Sequence, residues 1–339
     1  MRPDWDPDSY DYAFPEDLVA HEPASPRDDA RLLAYRREDR SIRHLRFRDL
    51  PDLLAPGSLL VTNDTRVVPA RFVARKDTGG TVRLLYLGER DGLVEALADR
   101  PLRPGITLEL EGGGMAAVTG KEGATYLLRP GFGDMPGFLR QHGITPLPPY
   151  IRTSLAEEDA RSAYQTVFAH ADGSAAAPTA SLHFTPELLE KIAASGVRTA
   201  GVTLHVGLGT FGPLTETAIA EGALHAERYE VPAGTVRAIR KARAAGAPVI
   251  AVGTTVARAL ESAAEAGFPE DMRETRLFMR PGRPFQVVDQ LVTNFHVPRS
   301  SLMQLVATLT GRDELMRVYR EAVRERYRLF SFGDAMVVL

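Results

Sequence analysis

The reactive side chains of this sequence gather in short polar or glycine-rich runs, several placed directly after an apolar stretch. His205 opens HVGLGTFGP, and His296 lies within TNFHVP. Imidazole titrates near neutral pH and carries protons in either direction. His225 and Glu227 form an H-x-E pair followed by Arg228 and Tyr229. That pattern suits acid–base chemistry and equally a solvated strand edge. His296, His205, His225 and Glu227 are the candidate catalytic groups.

Other runs supply candidate binding groups. Asp64 and Arg66 sit in TNDTR, readable as an Asx-type turn with a structural ion pair or as a carboxylate beside a phosphate-reading group. GSAAAPTASLHFT, residues 173–185, is built of small residues that admit close backbone approach, with Thr179 and His183 as its polar candidates. Gly207 and Gly209 belong to a literal G-x-G-x-x-G, but Pro213 and the residues around it do not open a helix, which a dinucleotide site requires. The glycines are left to back a bound ligand closely. Gly253, Thr254 and Thr255 follow an apolar strand and open a helix, a natural anion site. Arg258 lies three residues before Glu261 and either reads substrate or pairs along the helix. Asn294 precedes His296. His183, His205, His225, Glu227 and His296 are also of metal-ligating type, which keeps a metal-dependent hydrolase as an alternative. They lack the helical H-E-x-x-H spacing, and no metal is expected.

The elements that must position these groups follow from periodicity and breakers. Strands are expected at Arg31–Tyr35, Ser58–Thr62, Val197–Val206, Val249–Val252, Leu277–Met279 and Gln286–Val288. Short helices are expected over 14–20 and Asp49–Leu54. Longer ones are expected at Pro186–Ser195 (Thr185 as N-cap, Gly196 as stop), Val236–Ala245, Thr254–Ala266, Ser301–Thr310 and Asp313–Arg326. Between 70 and 146 the texture changes to short alternating segments broken by glycine turns, as in a small antiparallel barrel. The expected fold is α/β: a sheet flanked by helices, formed by 1–69 and 147–339 and interrupted by an inserted β-barrel domain at 70–146. Polar loops after apolar strands would then meet at the strand C-terminal ends.

Composition bounds the rest. The chain has 339 residues, 44% hydrophobic and 25% charged, with a net charge of −3. That balance excludes a strongly basic nucleic-acid coat. Four of the 41 basic residues are lysine; the arginine excess suits bidentate phosphate contacts and equally a codon bias. The absence of cysteine excludes thiolate nucleophiles, iron–sulfur clusters and disulfides. No secretory signal or membrane-length apolar run is visible, so a soluble, cytoplasmic, monomeric protein is expected.

The motifs, taken in order, resemble the S-adenosylmethionine:tRNA ribosyltransferase-isomerase family of queuosine biosynthesis. Those carrying the resemblance include FPEDLVAHEP, PGSLLVTNDTRVVPARFVARKDTGG, PLPPYI, GSAAAPTASLHFTPELL, GVTLHVGLGTFGPL, HAERYEV, VIAVGTTVARALES, VVDQLVTNFHVPRSSLMQLV and YRLFSFGDAMVV. The resemblance covers nearly the whole chain. It implies an α/β domain with an inserted barrel, and S-adenosylmethionine as a ribosyl-donating substrate. It implies as partner a tRNA whose wobble position carries 7-aminomethyl-7-deazaguanine, with epoxyqueuosine, adenine and methionine as products. Ser181, Ala226, Arg228 and Ala257 depart from the residues expected at their positions. They bear on the acceptor and keep open a paralogue that uses S-adenosylmethionine with another acceptor.

Overall fold

The computed structural model describes residues 4–207 and 214–339. The chain opens with β1 (Arg31–Tyr35) and β2 (Ile42–Arg46), then the fully buried β3 (Leu59–Asn63) and short β4 (Thr65–Val67). Six strands follow: β5 (Arg71–Lys76), β6 (Thr81–Arg90), β7 (Leu93–Ala98), β8 (Thr107–Leu110), β9 (Met115–Glu122) and β10 (Thr125–Pro130). They close into an antiparallel barrel filled by alternate side chains such as Phe72, Val82, Leu84, Val94 and Leu128. Helices α1 (Met135–His142) and α2 (Glu157–Ala163) lead to β11 (Ala171–Ser174), which pairs in parallel with β4.

The remainder alternates: α3 (Pro186–Ala194), β12 (Arg198–Leu204), α4 (Glu216–Glu221), β13 (Ala223–Glu230), α5 (Ala233–Ala244), β14 (Val249–Val252), α6 (Thr254–Glu265), β15 (Arg273–Leu277), β16 (Gln290–Asn294), α7 (Ser301–Thr310), α8 (Arg312–Arg324) and β17 (Ala335–Val338). Nine strands form one sheet in the order β15-β13-β12-β3-β14-β16-β17-β1-β2. Strands β12, β3, β14 and β16 run parallel at its centre, and β17 returns antiparallel to β16. Both faces are covered, as a parallel centre requires. Leu59, Val61 and Ala251 face helices α5 to α8, while Leu60, Ile250 and Val252 face α3 and the segment around Phe47.

Three local expectations are corrected. Over 14–20 the helix shrinks to a 3₁₀ turn at Glu16–Leu18. Gln286–Val288 is not a strand: the backbone N–H groups of Gln286, Val287 and Val288 all donate to the buried Glu261 carboxylate, at 2.7, 2.9 and 3.0 Å, so none is left for a ladder. The strand expected at Leu277–Met279 lies earlier, at Arg273–Leu277. No helix among the described residues is long and apolar enough to cross a membrane.

Candidate active site

Parallel β3, β12, β14 and β16 place their C-terminal ends on one edge of the sheet, and Asp64, His205, Gly253 and Phe295 follow directly. Because β17 is antiparallel to β16, the loop before it, with Phe330 and Ser331, reaches the same edge. A narrow cleft of about 40 Å³ opens there. Of the sequence candidates it is lined by Thr179, Gly253, Thr254, Thr255, Asn294 and His296.

The polar groups of this cleft are fixed from behind. The Thr179 hydroxyl donates to Asn294 Oδ1 at 2.9 Å, and the Asn294 amide donates to the Phe330 carbonyl at 3.2 Å and to His183 Nε2 at 3.3 Å. An amide nitrogen only donates, so His183 Nε2 accepts and carries no proton. Burial holds His183 neutral, down at about 3, and its ring packs on Phe47 at 4.8 Å. His183 lies in the core behind Asn294 and does not line the cleft. His296 Nε2 lies 2.8 Å from the Thr293 hydroxyl, its backbone N–H donates to the Tyr319 hydroxyl, and Tyr12 donates to its carbonyl. Burial alone lowers this imidazole to about 3, so it is neutral at physiological pH. Gly253 caps α6 at φ +93°, a conformation that favours glycine, and aims the first turn of the helix into the cleft.

A second, larger cleft, about 500 Å³, lies between the barrel and the α/β layer. Arg66 lines it, with Tyr86, Asp172, Gly173 and Arg228. His205 stands beside this lining. Its Nδ1 is 2.9 Å from the Thr65 hydroxyl, and a Cβ at Gly173 would come within 3.0 Å of its ring. Burial and then Arg228 lower its pKa, while Asp64 and Asp172 pull it upward. The adjacent Val206 lines the first cleft, so this segment of chain separates the two. Asp64 lines neither: its carboxylate accepts from Thr203 at 2.6 Å.

The H-x-E pair forms a third group. His225 Nε2 is 3.2 Å from Glu227 Oε1, which also accepts from the Gly207 N–H at 3.1 Å. The buried Arg258 donates from Nη1 to Glu227 Oε2. Arg258 Nε and Nη2 have no hydrogen-bond partner among the described residues. Gly209 lies outside the described residues. Among those described, no group of three or more His, Cys, Asp or Glu side chains is placed to hold a metal ion.

Residues 7–338 match the family described as Queuosine biosynthesis protein. The chain belongs to that family. It is 47% identical to the S-adenosylmethionine:tRNA ribosyltransferase-isomerase of Rubrobacter xylanophilus, with 98% of this chain and 97% of that one covered. The enzyme of the same name from Acidithiobacillus ferrooxidans is 48% identical, over 97% and 96%. A crystal structure of an S-adenosylmethionine tRNA ribosyltransferase from Thermotoga maritima is similar at a TM-score of 0.56 and 35% identity, covering 98% of this chain and 100% of its own.

Four residues not singled out from the sequence also build the edge. Asn63 ties β3, β12 and α6 together. Thr293 holds His296, and the Tyr150 and Ser331 hydroxyls, 2.7 Å apart, form a wall of the first cleft. Asn63 was within reach, since it sits inside TNDTR. The Tyr150–Ser331 contact joins residues 181 apart and leaves no local signal.

Proposed function

We propose that this chain transfers and isomerises the ribosyl moiety of S-adenosylmethionine onto the aminomethyl group of 7-aminomethyl-7-deazaguanine at the wobble position of a tRNA, releasing adenine and methionine. The observation that carries the reading is the meeting of separate polar loops at one sheet edge, in a chain similar over its whole length to enzymes of that name.

S-adenosylmethionine fits the first cleft by chemistry. Threonine hydroxyls, the N-terminal turn of α6 and the fixed Asn294 amide offer donors and acceptors to its polar ends. Arg258 supplies two further donors if an anionic group reaches it.

The positive sulfur acidifies the ribosyl C5′–H, and a base must take that proton. Adenine departs with a proton, and the acceptor amine, neutral when it attacks, joins the ribosyl carbons as methionine leaves. A base held near 3 is weak, and a neighbouring sulfonium depresses it further, so His296 suits a neutral hydrogen-bonding role. His205 is lowered by burial but supported by two carboxylates, and we assign it the C5′ proton. His225 with Glu227 is the assigned proton carrier for the departing groups, with Glu227 oriented by Arg258. Asp64 holds Thr203 and the turn that presents Arg66, a positioning role.

The test is to incubate the protein with S-adenosylmethionine and the acceptor tRNA. Free adenine and a heavier anticodon nucleoside are expected; neither appearing refutes the reading. His205→Gln is expected to lower kcat by roughly 10²- to 10⁴-fold, the usual range for general-base removal, while retaining S-adenosylmethionine binding.

A further inference from the structure

We infer that Tyr12, on the segment that crosses α7 and α8 before β1, is a positioning residue for the first cleft: with Tyr319 it clamps both peptide groups of His296 and so sets where that imidazole meets the donor substrate. The inference rests on the preceding reading that S-adenosylmethionine binds in this cleft, and it adds a residue that is not part of the cleft lining.

The first observation is the clamp. His296 lies in the loop between β16 and α7, where neither ladder nor helix takes up its backbone. Its N–H donates to the Tyr319 hydroxyl at 2.9 Å, and its carbonyl accepts from the Tyr12 hydroxyl at 2.7 Å. These two groups belong to the peptide planes on either side of the His296 Cα. Holding both planes fixes φ and ψ, and with them the direction of the Cα–Cβ bond. The ring is then set by the 2.8 Å contact between Nε2 and the Thr293 hydroxyl. The two tyrosine rings meet edge to face at 4.9 Å, so the clamp is one packed unit. Burial keeps both phenols protonated, and the Tyr12 O–H therefore remains a donor to the carbonyl.

The second observation is how the segment carrying Tyr12 is tied down. The Arg299 N–H donates to the Tyr10 carbonyl at 3.1 Å, and the Gln304 amide donates to the Trp5 carbonyl at 3.1 Å. Arg299 pairs with Asp11 at 2.7 Å and Arg312 with Asp4 at 2.8 Å. Two residues beyond Tyr12, Phe14 packs edge to face against Phe330 at 5.3 Å, and Phe330 lines the same cleft. The segment therefore touches the cleft wall twice, from behind. Packing alone would be served by phenylalanine at 12 as it is at 14. The polar atom that tyrosine adds is the donor to His296. A partly buried carbonyl deprived of that donor turns toward another, and the imidazole turns with it. In a narrow cleft such a turn moves a ligand contact, whereas the fold loses a single hydrogen bond.

The experiment measures S-adenosylmethionine binding to the full chain by calorimetry, and the KM for each substrate by adenine release, for Tyr12→Phe, His296→Gln and the double variant. Tyr12→Phe keeps the ring and removes the hydroxyl. It is expected to weaken S-adenosylmethionine binding and raise its KM by about 3- to 10-fold, the worth of one hydrogen bond, while the KM for tRNA stays at the wild-type value. On the His296→Gln background the same change is expected to have no further effect, because Tyr12 acts through His296. Asp17→Asn removes a surface pair with Arg326 further along the segment and controls for general loosening; it is expected to match the wild type. Equal losses from Tyr12→Phe on the wild-type and His296→Gln backgrounds would overturn the inference. So would wild-type binding and KM in Tyr12→Phe, with or without a lower unfolding midpoint. A wild-type chain that binds no S-adenosylmethionine would overturn the reading of the first cleft and the inference with it.

Discussion

Asn63 uses both ends of its buried amide. Oδ1 accepts from the N–H groups of Thr65 and Leu204, both at 3.1 Å, and Nδ2 donates to the Leu204 carbonyl at 2.9 Å and the Thr255 hydroxyl at 3.4 Å. One side chain thus joins β3, β12 and the start of α6, just below both clefts. Asn63→Ala strands several buried backbone groups and is expected to destabilise the fold by about 3 kcal/mol or more, read from urea unfolding. The two buried histidines give a pH signature. His183 and His296 are lowered to about 3, while in the unfolded chain they titrate near their ordinary value of 6.5. Between those limits the unfolded state binds the extra protons, so stability rises with pH and falls as acid is added below 6.5. The slope is about 1.4 kcal/mol per pH unit for each histidine. His296→Gln should remove one such increment from the slope of unfolding free energy against pH. An unchanged slope would mean that this imidazole protonates in the folded state.

At the scale of elements, α6 and α3 separate a helix start that serves the site from one that serves the fold. Gly253 holds φ +93° while its N–H donates to the Val292 carbonyl at 2.7 Å, linking the start of α6 to β16. A Cβ there meets nothing closer than 3.5 Å, so Gly253→Ala suffers from backbone strain rather than collision. The expected cost is about 1–2 kcal/mol, with weaker S-adenosylmethionine binding because the helix start turns. Thr185 caps α3 by accepting from the Leu188 N–H at 3.2 Å. Thr185→Ala should cost about 1 kcal/mol and leave turnover at the wild-type value. Thermal unfolding and steady-state kinetics on the pair distinguish the two kinds of start.

At the scale of the molecule, the nine-stranded sheet and the closed barrel meet around the β4–β11 ribbon, which lines the second cleft. A substrate that binds the folded chain alone stabilises it by mass action. S-adenosylmethionine at ~100 times its Kd should add about 2.7 kcal/mol and raise the unfolding midpoint by a few degrees. Asn294→Ala removes an amide that lines the first cleft and is held by Thr179, and should abolish most of that increase. An increase retained in full would place the ligand elsewhere.

Much of this was settled along the chain. Alternation and glycine breaks mark the barrel strands, and apolar runs mark β1, β3 and β14, because burial on both faces of a parallel sheet demands continuous apolar residues. The loops after β3, β12, β14 and β16 meet at one edge of the sheet, where backbone and side-chain polar groups can face a ligand. Local pattern failed where a distant partner decided the outcome. Gln286–Val288 has strand composition, yet Glu261 takes its N–H groups; His183 has the chemistry of a catalyst, yet burial against Phe47 makes it a support for Asn294. The separation of His205 and His296 onto different clefts, and the gathering of Arg66, Arg140 and Arg228 around one of them, arise from strand order and from barrel placement. Residue type determined which groups were able to react. Only tertiary packing determined which of them share a solvent-accessible space, because distance and desolvation are properties of the folded chain.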